Sequence, residues 1–174
     1  MNTSQLLLRA FLLCTMHGAL CINNTAQAQV TLVKDGRPKA CIVIEQPTAV
    51  DTAAARMLNK FVERISGTTL PLAPGPRKGM AAVMLGRSAA TVGEDGYEIT
   101  CRPGELSVST GGGKGTLYGV CTLLERYMCV DYWAKDAYTL MPNRTITLPQ
   151  FSLADSPVFR FRQTFSYSNN DPDY

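Results

Sequence analysis

"STGGGKGTLYGVCTLLE", Ser109–Glu125, decides how this chain folds. Three adjacent glycines, Lys114, Gly115 and Thr116 stand between a run of alternating apolar residues and an amphipathic run. Such a segment can cradle a phosphate, or it can turn a strand sharply into a closely packed helix. A phosphate loop needs G-x-x-x-x-G-K-[ST]. Here Lys114 is followed by Gly115, and Val108 stands five residues before Gly113, so the pattern fails at both ends. A dinucleotide fingerprint needs G-x-G-x-x-G. Tyr118 occupies its third glycine position, and the glycine is displaced to Gly119. The stretch therefore reads as a strand-to-helix turn. Its glycines let the chain bend out of the strand and approach a neighbouring backbone.

Upstream, "GEDGYEITCRPGELSVST" is a hairpin. Tyr97, Ile99 and Cys101 alternate on one strand and Leu106 and Val108 on the next, with Pro103-Gly104 as the turn. Downstream, the helix predicted from about Gly115 to Met128 carries Leu117, Val120, Cys121, Leu124 and Met128 as its apolar stripe. A first helix lies in "TAVDTAAARMLNKFVERISGTTLPL". Ala54, Met57, Leu58, Phe61 and Ile65 share a face, Asp51 or Thr52 caps the start, and Gly67 ends it in a left-handed conformation. Val30–Val33 and Ala40–Ile44 read as a hairpin around Asp35-Gly36, and Ala81–Leu85 as a further strand. The order β-β-α-β-β-β-β-α-β-β predicts an α+β domain: a mixed, mostly antiparallel sheet with two helices packed on one face.

The 174 residues suffice for about one domain. The net charge is +3 and its charges are scattered singly, so no basic patch points to nucleic acid. Residues 1–28 belong to a different regime. A leucine-rich run carries Arg9, and Ala26-Gln27-Ala28 has the small-x-small form that precedes signal-peptidase cleavage, here before Gln29. A short anchor is the alternative, but the run is interrupted by Arg9 and too short for a comfortable span. We expect an exported chain, periplasmic or extracellular, with no stable membrane span after cleavage.

Cleavage removes the sole histidine, His17, and with it any Ser-His-Asp or Cys-His mechanism. It also removes the commonest ligand of a catalytic zinc, and no metal or cofactor is expected. Cys41, Cys101, Cys121 and Cys129 remain, without C-x-x-C spacing. Most of them are read as small buried apolar residues, with a structural disulfide as the alternative. Glu94-Asp95 is an adjacent acid pair of the kind that general acid/base work uses. Its place between glycines makes a turn the simpler reading.

The run from Gly93 to Met128 resembles the small domain that precedes the catalytic barrel in several glycoside hydrolases. Glu94, Gly96, Tyr97, Ile99, Gly113, Gly115, Gly119, Thr122 and Leu123 carry the resemblance, and "RISGTTLPL" resembles the end of that domain's first helix. The N-terminal domains of family 67 α-glucuronidases and of family 20 β-hexosaminidases are most similar, over about Val30 to Pro149. The resemblance implies a non-catalytic accessory domain at residues 29–150, with the start of a catalytic barrel at residues 151–174. "DSPVFRFR", Asp155–Arg162, resembles the entry to the first barrel strand. Arg162 then matches an arginine that holds sugar hydroxyls, although "QTFSYSN" does not continue the hexosaminidase pattern. The family's catalytic carboxylates would lie in roughly 250 further residues, so these 174 are expected to be inactive alone. Carbohydrate would be met through that barrel. The alternative is a stand-alone carbohydrate-binding or protein-interaction module, with Tyr132, Trp133 and Tyr138 stacking on sugar faces.

Overall fold

The structure, a computed structural model, describes residues 30–45, 47–134 and 136–159. Strands β1 (Val30–Lys34), β2 (Arg37–Pro38) and β3 (Ala40–Ile44) lead into helix α1 (Ala49–Ser66). Then follow β4 (Leu72–Ala73), β5 (Ala81–Ser88), β6 (Tyr97–Arg102) and β7 (Glu105–Thr110). Helix α2 (Gly115–Tyr127) precedes β8 (Asp131–Ala134), β9 (Ala137–Thr139), β10 (Ile146–Leu148) and β11 (Phe151–Asp155).

The main sheet has the order β11-β6-β7-β5-β3-β4. Its β11-β6-β7 end is antiparallel, and β7, β5, β3 and β4 run parallel. The hairpin of β6 and β7 forms around Pro103-Gly104 as the sequence predicts, with Tyr97 opposite Thr110. A second sheet has the order β10-β1-β2, and β8 pairs with β9. Antiparallel pairings therefore outnumber parallel ones, five to three, among the described residues. The architecture is α+β.

Both helices lie on one face of the main sheet. Alternation along the strands sends Ile42, Val83, Leu85, Ile99, Leu106 and Val108 toward them, where they meet Leu58, Phe61, Val62, Val120, Leu123 and Leu124 in one buried core. Cys41, Val43, Ala73, Ala82 and Met84 form a smaller buried cluster. On β3 and β5 successive residues join different clusters, so both strands are buried on both faces. That is why "ACIVI" and "AAVML" are unbroken apolar runs.

Four expectations change. The turn at Asp35-Gly36 joins β1 to the two-residue β2, while β3 belongs to the other sheet. Helix α1 starts earlier than expected. Thr48 is the N-cap, and Asp51 is its reciprocal partner: the Asp51 amide donates to Thr48 Oγ1 at 3.1 Å, and the Thr48 amide donates to Asp51 Oδ2 at 3.2 Å. The buried stripe of α2 is rotated from the expected one. It runs through Gly115, Thr116, Gly119, Val120, Leu123 and Leu124, leaving Leu117 and Cys121 half-buried. Last, the α+β unit does not stop at residue 150. Phe151–Asp155 pairs with β6 over five residues and forms the sheet's outer strand. Gly67 does end α1 in the left-handed region, at φ 78°, with its amide donating to Glu63 O.

Candidate functional site

The glycine stretch resolves into a packed corner. Gly111 lies against the carbonyls of Val92 and Gly93, and Gly115 against the carbonyl of Gly96 and the Thr110 hydroxyl, so closely that neither has room for a Cβ. The turn at 92–96 and the start of α2 are thus two backbones in direct contact. Several amides that could greet a phosphate already have acceptors. Gly111 N donates to Gly96 O at 3.1 Å, Gly112 N to Thr110 Oγ1 at 3.0 Å and Lys114 N to Asp95 Oδ1 at 2.7 Å. Asp95 supplies the negative charge that a helix N-terminus favours. The acid pair therefore divides: Glu94 is exposed, and Asp95 holds the corner together.

Beside this corner is a small cavity of about 160 Å³, lined by Asp95, Tyr97, Tyr118, Asp155, Ser156 and Pro157. The Tyr97 hydroxyl lies 2.7 Å from Thr122 Oγ1 and donates to Asp155 Oδ2 at 3.5 Å. Gly93 N donates to Ser156 Oγ at 3.3 Å. These contacts fix the direction in which the chain leaves β11. Val158 and Phe159 follow and are exposed.

The aromatic candidates sit elsewhere, on the β8–β9 hairpin. Tyr132 and Tyr138 pair across the two strands and stack at 6.3 Å between ring centroids. Both meet the Phe61 ring of α1 edge-on, at 6.3 and 5.3 Å, and Arg64 lies over the Tyr138 ring at 4.7 Å. Their main work is to hold the hairpin on α1. Trp133 points the other way. It is 73% exposed, and its indole N–H donates to Thr139 Oγ1 at 3.3 Å. Thr139 Oγ1 donates in turn to Asp131 Oδ2 at 3.4 Å. The three rings grouped from sequence are therefore two anchors and one presented plate. The sequence alone does not mark Asp131 and Thr139; they are cross-strand partners, and their side chains meet the Trp133 indole through the two hydrogen bonds. Arg162 lies outside the described residues.

No group of side chains able to hold a metal occurs among the described residues. No described helix is long and apolar enough to cross a membrane. Cys41 and Cys101 are buried, Cys121 is half-buried with its thiol 3.6 Å from Met57 Sδ, and Cys129 is exposed. No disulfide joins them. Burial pushes the Cys101 thiol up to about 11. Burial, helped by the charge of Glu125, pushes Cys121 up to about 11. Both stay protonated at neutral pH and are poor nucleophiles.

A two-helix layer on one face of a mixed sheet, with its corner glycines spent on packing, defines a structural α+β domain. The chain belongs to the family described as glycosyl hydrolase family 20, domain 2, whose model matches residues 24–127. Among solved structures it is similar to the family 20 β-N-acetylhexosaminidase of Streptomyces coelicolor A3(2), with a TM-score of 0.56 at 15% identity, covering 80% of this chain and 26% of that one. The Streptomyces plicatus N-acetyl-β-hexosaminidase gives 0.55 at 14%, covering 79% and 25%. A family 20 exo-β-N-acetylglucosaminidase from Vibrio harveyi gives 0.53 at 19%, covering 80% and 18%. The chain thus spans about a quarter or less of these enzymes' length. No curated protein matches it significantly.

Proposed function

We propose that this chain is the non-catalytic accessory domain of an exported hexosaminidase-type glycoside hydrolase that works on N-acetylhexosamine-containing glycans. The observation that carries the reading is the family 20 domain 2 match, together with structural likeness that covers about four-fifths of this chain and about a quarter or less of each enzyme. On this reading the catalytic carboxylates belong to a barrel outside the 174 residues, and residues 1–28 direct export. The described residues favour a supporting role. Asp95 is engaged by the Lys114 amide at the start of α2, and the thiols of Cys101 and Cys121 are held protonated. The clamped exit at Asp155 and Ser156 suits a domain that must hand the chain to a neighbour at a set angle. The half-buried outer side of α2, with Leu117, Tyr118 and Cys121, suits a helix with a covering surface.

The test is hydrolysis of 4-nitrophenyl N-acetyl-β-glucosaminide by the 174-residue chain, alone and with a co-expressed family 20 barrel. No turnover alone, with a gain in barrel solubility or activity when the two are together, is the expected result. Turnover by the chain alone, abolished by a substitution within it, would overturn the non-catalytic reading.

A further inference from the structure

We infer that the outer side of the β8–β9 hairpin is a glycan-contact site, with Trp133 as a stacking plate and Asp131 as the hydrogen-bond acceptor beside it. Three observations support this. First, the hairpin's two sides do different things. Tyr132 and Tyr138 are used on Phe61 and Arg64, so Trp133 is not needed to hold the hairpin down. The Trp133 ring is 73% exposed, on an element already anchored by others, so its face is open to a ligand. Second, the indole is oriented. Its N–H is tied to Thr139 Oγ1, which is tied to Asp131 Oδ2, so ring, hydroxyl and carboxylate form one short chain. Orientation before binding lowers the entropy lost on binding.

Third, the chemistry is that of a pyranose. One side of such a ring presents C–H groups that pack on an aromatic face, and its edge presents hydroxyls that donate to a carboxylate. Asp131 is exposed, and its carboxylate has acceptor capacity left after the Thr139 contact. The ligand class we assign is a linear β-linked N-acetylhexosamine oligomer. The choice of sugar, unlike the site itself, rests on the accessory-domain reading. With one ring and one carboxylate, affinity would be low, with Kd on the order of millimolar.

Trp133 is the chain's single tryptophan, so intrinsic fluorescence reports on this site alone. The experiment titrates the 174-residue chain with chitohexaose, cellohexaose and, as a control without rings, mannitol. The expected result is a saturable change in emission with chitohexaose, a weaker one with cellohexaose and none with mannitol. Calorimetry with Trp133→Ala should show binding lost, and Asp131→Asn should weaken it several-fold, both with an unchanged melting temperature. No saturable response to either oligosaccharide up to tens of millimolar would overturn the site while leaving the accessory-domain reading intact. An equal response to both sugars would keep the site and overturn the assigned sugar. Emission that resists acrylamide quenching before any glycan is added would mean that Trp133 is covered by protein, and would overturn the proposal in favour of an interface.

Discussion

Gly119 sits in the interior of α2, where alanine is normally the better residue by up to about 1 kcal/mol. Here the sign should reverse. A Cβ at Gly119 would lie 2.5 Å from Val108 Cγ1 and 3.3 Å from two atoms of Tyr97. Val108 is fully buried on β7, and Tyr97 is held by its hydroxyl contacts to Thr122 and Asp155. Neither can yield cheaply in a close-packed core. We expect Gly119→Ala to destabilise the domain by about 1–3 kcal/mol in urea unfolding. Gly67→Ala is the informative comparison. Nothing lies within 4 Å of a Cβ there, so its cost comes only from holding a non-glycine residue at φ 78°, about 1–2 kcal/mol. If Gly119→Ala proved neutral or stabilising, close approach of helix and sheet would not be what the glycine is for. Gly111 and Gly115 extend the same logic at the corner itself, where backbone carbonyls of the facing turn fill the space a side chain would need.

Among the elements, the β8–β9 hairpin depends most on a few contacts. Both β8 residues that the sequence marked, Tyr132 and Trp133, are exposed, at 41% and 73%, and a two-stranded hairpin alone is barely stable in water. What holds it is the Tyr132–Tyr138 pair on Phe61, with the Arg64 guanidinium over Tyr138. Aromatic pairs of this geometry contribute about 0.5–1.5 kcal/mol beyond area burial, and a cation over a ring about 0.5–1 kcal/mol. Tyr138→Ala should therefore lower stability by about 2 kcal/mol and raise hydrogen exchange selectively at residues 131–139. Trp133→Ala should do neither. Equal effects of the two substitutions would show that the hairpin is not anchored from one side. The sequence made the rings visible as a group, but not their division. Residue type groups the rings, whereas the β8–β9 pairing divides them: Tyr132 faces Tyr138, and the register shifts between Tyr132 and Ala134, at Trp133. Helix features were more legible because they are local. The Gly67 terminus and the apolar face of α1 are legible from residues within a turn or two, whereas Asp51 resembles a cap by itself and hides the true one, its reciprocal partner Thr48.

Long-range pairing governs the whole molecule, and it is the level at which the sequence is least legible. Hairpin β6–β7 was predictable because its strands adjoin. The parallel ladder of β7, β5, β3 and β4 joins strands separated by a helix or by another strand, and nothing local specifies it. One physical signal was present: unbroken apolar runs at Ala40–Ile44 and Ala81–Leu85 mark strands buried on both faces, as central parallel strands are. The other edge of the sheet offered no such signal. "FSLAD" looks like the approach to a new domain, yet it pairs with β6 from Phe151 opposite Cys101 to Asp155 opposite Tyr97. Phe151 stacks on Tyr127 at 3.7 Å with the rings 9° from parallel, and Leu153 packs against the main core. Removing this strand would strip the Phe151 and Leu153 side chains from Tyr127 and the core and leave β6 as an open edge, which invites pairing between copies. A chain ended after Gln150 should lose about 2–4 kcal/mol and associate as concentration rises, as measured by urea unfolding and analytical ultracentrifugation. A chain ended after Pro157 keeps β11 and the Gly93–Ser156 and Tyr97–Asp155 contacts, and should unfold like the full sequence. If the two shortened chains were equally stable and monomeric, residues 151–155 would be dispensable to this unit, and the domain would end at residue 150, where the family resemblance puts its boundary.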